Sequence, residues 1–200
     1  TNYYKKTKIM FFKKKYLLTM DSRSSIELEN ISCAIACCYC IGIPIRNILN
    51  VLKKINNPPG RLEKVPTISK NLKIYVDYAH TPDALKKILS ENMSDNKKPN
   101  IVFGCGGNRD KNKRKLMGKI AEKFANKVYI TDDNPRDENP SLIRKTILLN
   151  CKRGIEISDR EKAISQAIED LENNETLIIA GKGHENIQIY NNSIRYFNDI

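Results

Sequence analysis

Four short runs hold most of the residues able to do chemistry: Asp77-Tyr78-Ala79-His80, Gly104 to Arg109, Asp132 to Arg136, and Gly181 to Glu185. Arg109 and Arg136 each offer a planar fork of N–H donors, the natural partner of a carboxylate. Asn134 offers both a donor and an acceptor. Pro135 between them stiffens the turn. Gly181-Lys182-Gly183-His184-Glu185 adds a permissive backbone, a cation, an imidazole and a carboxylate that could receive an ammonium. Carboxylate forks beside an ammonium acceptor suit an amino acid as ligand. The Gly104 run lets a ligand approach the backbone closely. It fits neither GxxxxGK[ST] nor GxGxxG, so neither phosphate-binding fingerprint is present there. Both histidines of the chain, His80 and His184, fall in these loops rather than in an apolar pattern.

Each run follows an apolar stretch of strand length. Strands are predicted at Leu72 to Val76, Asn100 to Phe103, Lys127 to Thr131, Ile155 to Ser158 and Thr176 to Ala180. Helices are predicted at Pro82 to Leu89, Leu116 to Ala125, Pro140 to Leu149 and Glu161 to Asn173, with a final hairpin from Ile187 to Tyr196. Such alternation predicts an α/β fold, a Rossmann-like and mostly parallel sheet with helices on both faces. Ligands of open parallel sheets bind outside the carboxyl ends of the strands, where these four loops would lie.

The chain before this region reads differently. Two helices are predicted between Glu27 and Ile55: Ile31, Ala34, Ile35 and Cys38 share one face, and Gly42 with Pro44 stops the first helix. The second, about Arg46 to Ile55, carries Ile48, Leu49, Leu52 and Ile55 at helical spacing. Asn56-Asn57-Pro58-Pro59-Gly60 is the strongest breaker in the sequence and sets the expected domain boundary between residues 59 and 60. Cys33, Cys37, Cys38 and Cys40 lack CxxC spacing and a nearby histidine, which argues against a zinc site. They are expected to be small apolar fillers of a buried helix. No metal site is expected.

Of 200 residues, 40% are hydrophobic and 29% charged. With a mean hydropathy of −0.52 and no apolar run near the ~20 residues a membrane span needs, the expectation is a cytoplasmic chain. The net charge of +12 raises nucleic acid as a partner. Lys, Asn and Ile, all AT-rich in their codons, are abundant throughout, so the charge need not reflect a partner. Only Lys5, Lys6, Lys8, Lys13, Lys14 and Lys15 form a dense basic cluster, read as a solvated or disordered arm.

The ordered runs GRLE (Gly60 to Glu63), VDYAHTPDAL (Val76 to Leu85), GCGGNRDKNKRKLMG (Gly104 to Gly118), TDDNPR (Thr131 to Arg136) and GKGHE (Gly181 to Glu185) resemble the C-terminal part of the Mur ligase family. The DNPR form resembles the signature of members that add meso-diaminopimelate, rather than lysine, to UDP-N-acetylmuramoyl-L-alanyl-D-glutamate in peptidoglycan biosynthesis. The resemblance implies that Arg109, Asp133, Asn134, Pro135, Arg136, Gly181 and Glu185 hold diaminopimelate. It places Asn30, Arg61, Asp77 and His80 by the nucleotide, with Lys182 and His184 as further candidates. It also implies ATP and Mg2+, bound mainly by a central domain of which residues 1–59 would be only the basic arm and last helices. With no phosphate loop, the chain alone is expected to be inactive, with a separate chain as one source of the remaining domains. A stand-alone or remnant amino-acid-binding module and a lysine-adding homologue are the alternatives.

Overall fold

The structure, a computed structural model, describes residues 5–11, 14–20, 25–52, 54–55, 57–67, 71–93, 97–191 and 193–200. The chain divides into two compact units, Thr1–Asn57 and Pro58–Ile200.

In the first unit, β1 (Lys5–Phe11) pairs antiparallel with β2 (Lys14–Met20), Lys5 facing Met20 and Phe11 facing Lys14. Where the sequence suggested a solvated or disordered arm, these two segments are paired strands; Lys13 of the basic cluster lies outside the described residues. Thr7, Ile9 and Phe11 alternate along β1 as strand-forming residues, and β2 carries Tyr16 and Thr19 of the same kind. Helix α1 (Ser25–Cys40) is followed by α2 (Ile45–Leu52). Ile35, Ile48 and Leu52 form a small core, with Leu28, Ile31, Cys38, Ile45 and Leu49 against it. The expected burial of the cysteines is also corrected. Cys33, Cys37 and Cys40 are exposed and Cys38 is half-buried. At i, i+4 and i+7 the three exposed thiols share a face of α1 on which Ile35 does not lie.

The second unit is built on a six-stranded sheet. Its strands are β3 (Glu63–Val65), β4 (Lys73–Asp77), β5 (Asn100–Phe103), β6 (Val128–Ile130), β7 (Gly154–Glu156) and β8 (Thr176–Ala180). They lie in the order β3-β4-β8-β5-β6-β7, all parallel except β3, which runs antiparallel to β4. The edge strand β3 was not anticipated. Three residues, two of them charged, carry no strand signal.

Strand alternation sends neighbouring residues to opposite faces, and each face meets its own helices. Ile101, Phe103, Val128, Ile130, Ile178 and Ala180 pack on α3 (Pro82–Glu91), α4 (Asn112–Phe124) and α5 (Pro140–Leu148), through side chains such as Leu85, Met117 and Ile147. Val102, Tyr129, Leu177 and Ile179 pack on Ala163 and Ala167 of α6 (Arg160–Glu169). Full burial of each large side chain contributes roughly 1.5–3 kcal/mol, so both faces anchor the strands whose carboxyl ends carry the loops. Helix starts are set locally. Thr81, Asn139 and Asp159 cap α3, α5 and α6 by accepting from Ala84, Ser141 and Lys162 N–H groups. Helix α4 begins four residues before the expected Leu116, because its first turn is polar and carries no apolar periodicity. The hairpin β9 (Ile187–Tyr190) and β10 (Ser193–Tyr196) follows.

Candidate functional site

The loops after β4, β5, β6 and β8 meet at one edge of the sheet and enclose a cleft of about 420 Å³. Arg109, Asp133, Asn134, Arg136, Gly181, Glu185 and His80 all line it. Of the residues expected near an amino acid, Pro135 alone faces elsewhere. It lines a hollow behind the loop, with Tyr190 and Asn191.

Asn134 is buried at the centre of a bonded cluster. Its Oδ1 accepts from the Ile189 N–H at 3.0 Å and from Lys182 Nζ at 3.3 Å. With the carbonyl side occupied, Nδ2 donates to Glu185 Oε2 at 2.9 Å. Lys182 Nζ also reaches Glu185 Oε2 at 3.2 Å and the Ile187 carbonyl. The ammonium of Lys182 is fully buried and internally bonded, so it organises the cluster from beneath rather than lining the cleft. A carboxylate held by one lysine and one amide retains acceptor capacity for a ligand ammonium.

Arg136 adopts φ 51, a left-handed conformation that non-glycine residues rarely take. Its Nη1 donates to the Gly107 carbonyl at 2.9 Å and to the Asn134 carbonyl at 3.3 Å. The β5 and β6 loops are therefore stitched together. A Cβ on Gly107 would lie 1.8 Å from the Pro135 carbonyl oxygen, so only glycine allows this approach. Glu138 adds a second stitch. It accepts from both Nη atoms of Arg114 at 3.0 and 2.9 Å and from the Asn108 N–H at 2.6 Å. The Arg114 hydrogen bonds hold its carboxyl well below the usual range, at about 2. Arg109 itself is exposed, its Nη1 donating to the Asn108 carbonyl at 3.3 Å.

Asp132 lies behind the cleft, paired with Arg144, which also donates to Glu156 Oε1 at 2.7 Å. The Tyr190 hydroxyl donates to Asp132 Oδ2 at 3.2 Å. Burial pushes the Asp132 carboxyl up, and Arg144 works against that shift.

The residues expected near a nucleotide are spread more widely. Arg61 stands 4.4 Å from the Tyr78 ring centroid, and His80 and His184 flank the same ring at 4.6 and 5.5 Å. Gly60, at φ +66, lies so close to Gly183 and His184 that a Cβ would meet the His184 nitrogen at 2.1 Å. Asp77 accepts from the Leu62 and Ala79 N–H groups at 2.7 and 2.8 Å, tying Leu62 to the end of β4. Asn30 is an exposed residue of α1 in the first unit. Among the described residues no three or more His, Cys, Asp or Glu side chains cluster as metal ligands would. None of the described helices is long and apolar enough to cross a membrane.

Sequence reasoning missed the residues that brace the loops: Arg114, Glu138, Arg144, Gln188 and Tyr190. Gln188 illustrates why. Between Ile187 and Ile189 it reads as the solvent side of a strand, yet it is fully buried.

Residues 60–183 match the family described as Mur ligase, glutamate ligase domain. The chain is 44% identical over 181 residues to a UDP-N-acetylmuramoyl-L-alanyl-D-glutamate--2,6-diaminopimelate ligase of Rickettsia felis, covering 88% of this chain and 33% of the relative. A ligase of the same name from Anaplasma marginale is 43% identical over 176 residues, covering 86% of this chain and 36% of the relative. A solved structure, again of a ligase of that name, superposes with a TM-score of 0.66 at 32% identity, covering 96% of this chain and 40% of that one. A folylpolyglutamate synthase of Mycobacterium tuberculosis shares the fold, with a TM-score of 0.65 at 15% identity over 84% of this chain and 40% of that one. The chain thus spans about a third of the length of these two curated relatives.

Proposed function

This chain belongs to the Mur ligase family, and on that premise we propose that it is the amino-acid-binding end of a ligase joining meso-diaminopimelate to UDP-N-acetylmuramoyl-L-alanyl-D-glutamate. One observation carries the reading. Arg109, Arg136, Asn134 and Glu185 line a single cleft, two carboxylate forks beside an ammonium acceptor. Diaminopimelate carries a carboxylate and an ammonium at each end. Arg136 reads one carboxylate, Glu185, held in place by the Asn134 amide, receives an ammonium, and Arg109 approaches from the exposed side. Asp133 and Gly181 shape the floor, and Pro135 acts only by stiffening the turn. Lys182 acts through Asn134 and Glu185. Lysine, lacking the distal carboxylate, leaves one arginine without a partner.

In the full reaction an acyl phosphate formed with ATP and Mg2+ is attacked by the ligand amine, in the cytoplasm. What this chain's residues contribute is position: holding the amine at the cleft mouth so that attack is effectively intramolecular. Arg61, His80 and His184, around the Tyr78 ring, are assigned to the nucleotide side, as are Asp77 and Asn30. The chain alone is assigned no turnover, because its sequence carries no GxxxxGK[ST] loop to cradle the β- and γ-phosphates.

The test is calorimetric titration with meso-diaminopimelate, with lysine as control ligand and Arg136→Ala as control protein. Binding of diaminopimelate but not lysine, lost in the variant, is expected. Equal binding of the two ligands would favour the lysine-adding alternative, and no binding of either would sink the assignment.

A further inference from the structure

The loop that carries Asn134 and Arg136 is held from outside as well as by its own hydrogen bonds. Arg136 sits in the left-handed region, a conformation that persists only where the surroundings impose it. Here the surroundings are β9. The Arg136 N–H donates to the Ile189 carbonyl at 3.0 Å, and the Asn191 N–H donates to the Arg136 carbonyl at 2.7 Å. The Ile189 N–H fixes Asn134 Oδ1. Gln188 completes the clamp: its Nε2 donates to the Asp132 carbonyl at 3.2 Å and to the Asp133 carbonyl at 3.1 Å. One side-chain amide thereby grips two consecutive peptide groups immediately before Asn134.

The other end of that amide is unusual. Gln188 Oε1 is buried with no hydrogen-bond partner in the described structure. An unmet buried acceptor is costly, so burial alone gives no reason for an amide at this position. What the amide supplies is a donor able to span two adjacent carbonyls, which no apolar side chain provides. Resting on the ligand reading above, the geometry points to Gln188 as a positioning residue for ligand recognition. It fixes the Asp132–Asp133 backbone so that the next residues, Asn134 and Arg136, face the cleft. It touches no ligand itself. Specificity for a dicarboxylic amino acid is therefore set in part from β9, outside the five runs that resemble the family.

The test is Gln188→Met, of similar length without the donor, with Gln188→Asn as a milder variant should the first fail to fold. Two readouts are taken well below the melting temperature. Calorimetry with meso-diaminopimelate should show at least tenfold weaker binding by the variant. Amide hydrogen exchange should quicken at least tenfold at Arg136 and Ile189, with the Val102 and Ile178 amides of the sheet unchanged. Unchanged affinity, unchanged exchange at Arg136, or exchange quickening equally throughout the sheet would each overturn the inference, the last revealing a merely structural residue. Should the wild-type chain not bind diaminopimelate, while exchange quickens only at Arg136 and Ile189, the ligand reading falls and the positioning role stands.

Discussion

Arg109 and Arg136 reach the same cleft from opposite kinds of backbone. Arg136 is half-buried, with its amide and carbonyl both paired to β9 and its guanidinium already bonded to two carbonyls. Arg109 is exposed, with one bond to the carbonyl of its own neighbour. The first arm is set before any ligand arrives, so it loses little freedom on binding and selects by shape. The second must be ordered by what it holds, so it supplies attraction more than discrimination. A site built of one fixed and one loose cation can be strict at one end of a ligand and adaptable at the other.

The difference is broken most severely by Gly107→Ala. Its methyl would meet the Pro135 carbonyl at 1.8 Å, forcing the two arginine loops apart. Overpacking of this kind costs ~1–3 kcal/mol of stability, and urea unfolding should show it; calorimetry should show diaminopimelate binding abolished. Arg136→Lys keeps the charge but loses the fork, and should weaken binding about tenfold, the loss of one charge-assisted hydrogen bond.

Glu138→Gln tests the stitch between the loops. The folded-state carboxyl titrates near 2, below its ordinary 4.5, so its contribution is fully present above the ordinary value and fades as pH falls through the lower one. The variant should therefore be less stable than wild type by a constant amount from neutral pH down to about 5, the gap closing below about 4. A gap that widened in acid would contradict the assignment. Smallest of all, Arg109→Lys should weaken binding only ~2–3-fold at physiological salt, with the difference shrinking as salt screens the exposed charge. A loss as large as that of Arg136→Lys would erase the proposed asymmetry.

The sequence displays the two arms but not what holds them. Both arginines, and the cleft residues around them, were legible because loop residues of distinctive type follow strands of buried apolar residues. Asn100–Phe103 and Thr176–Ala180 coincide with their expected bounds, since strands buried on both faces read as unbroken apolar runs. What holds the arms was illegible. Gln188 mimics a solvent-facing position, and Arg114 and Glu138 read as ordinary surface charges until the fold brings them within hydrogen-bonding distance across 24 residues. The same blindness hid β3, and it hid the exposure of the α1 thiols, because a cysteine-rich apolar run does not say which of its faces is covered.

The strand order has a consequence for how the domain is made. Strand β8 lies between β4 and β5, pairing Ile74 with Leu177 and Ile101 with Ile178. One of the two central strands of the sheet is thus the last of its six to leave the ribosome. Until it arrives, β4 and β5 each hold an open edge flanked by apolar side chains, and pairing must close a loop of about a hundred residues. Nascent chains that have β4 to β7 but not yet β8 are the vulnerable species, prone to join edges with one another. Insertion of that one strand closes both edges and brings the Gly181–Glu185 loop to the cleft, and β9, next in the chain, then fixes the Asn134–Arg136 loop.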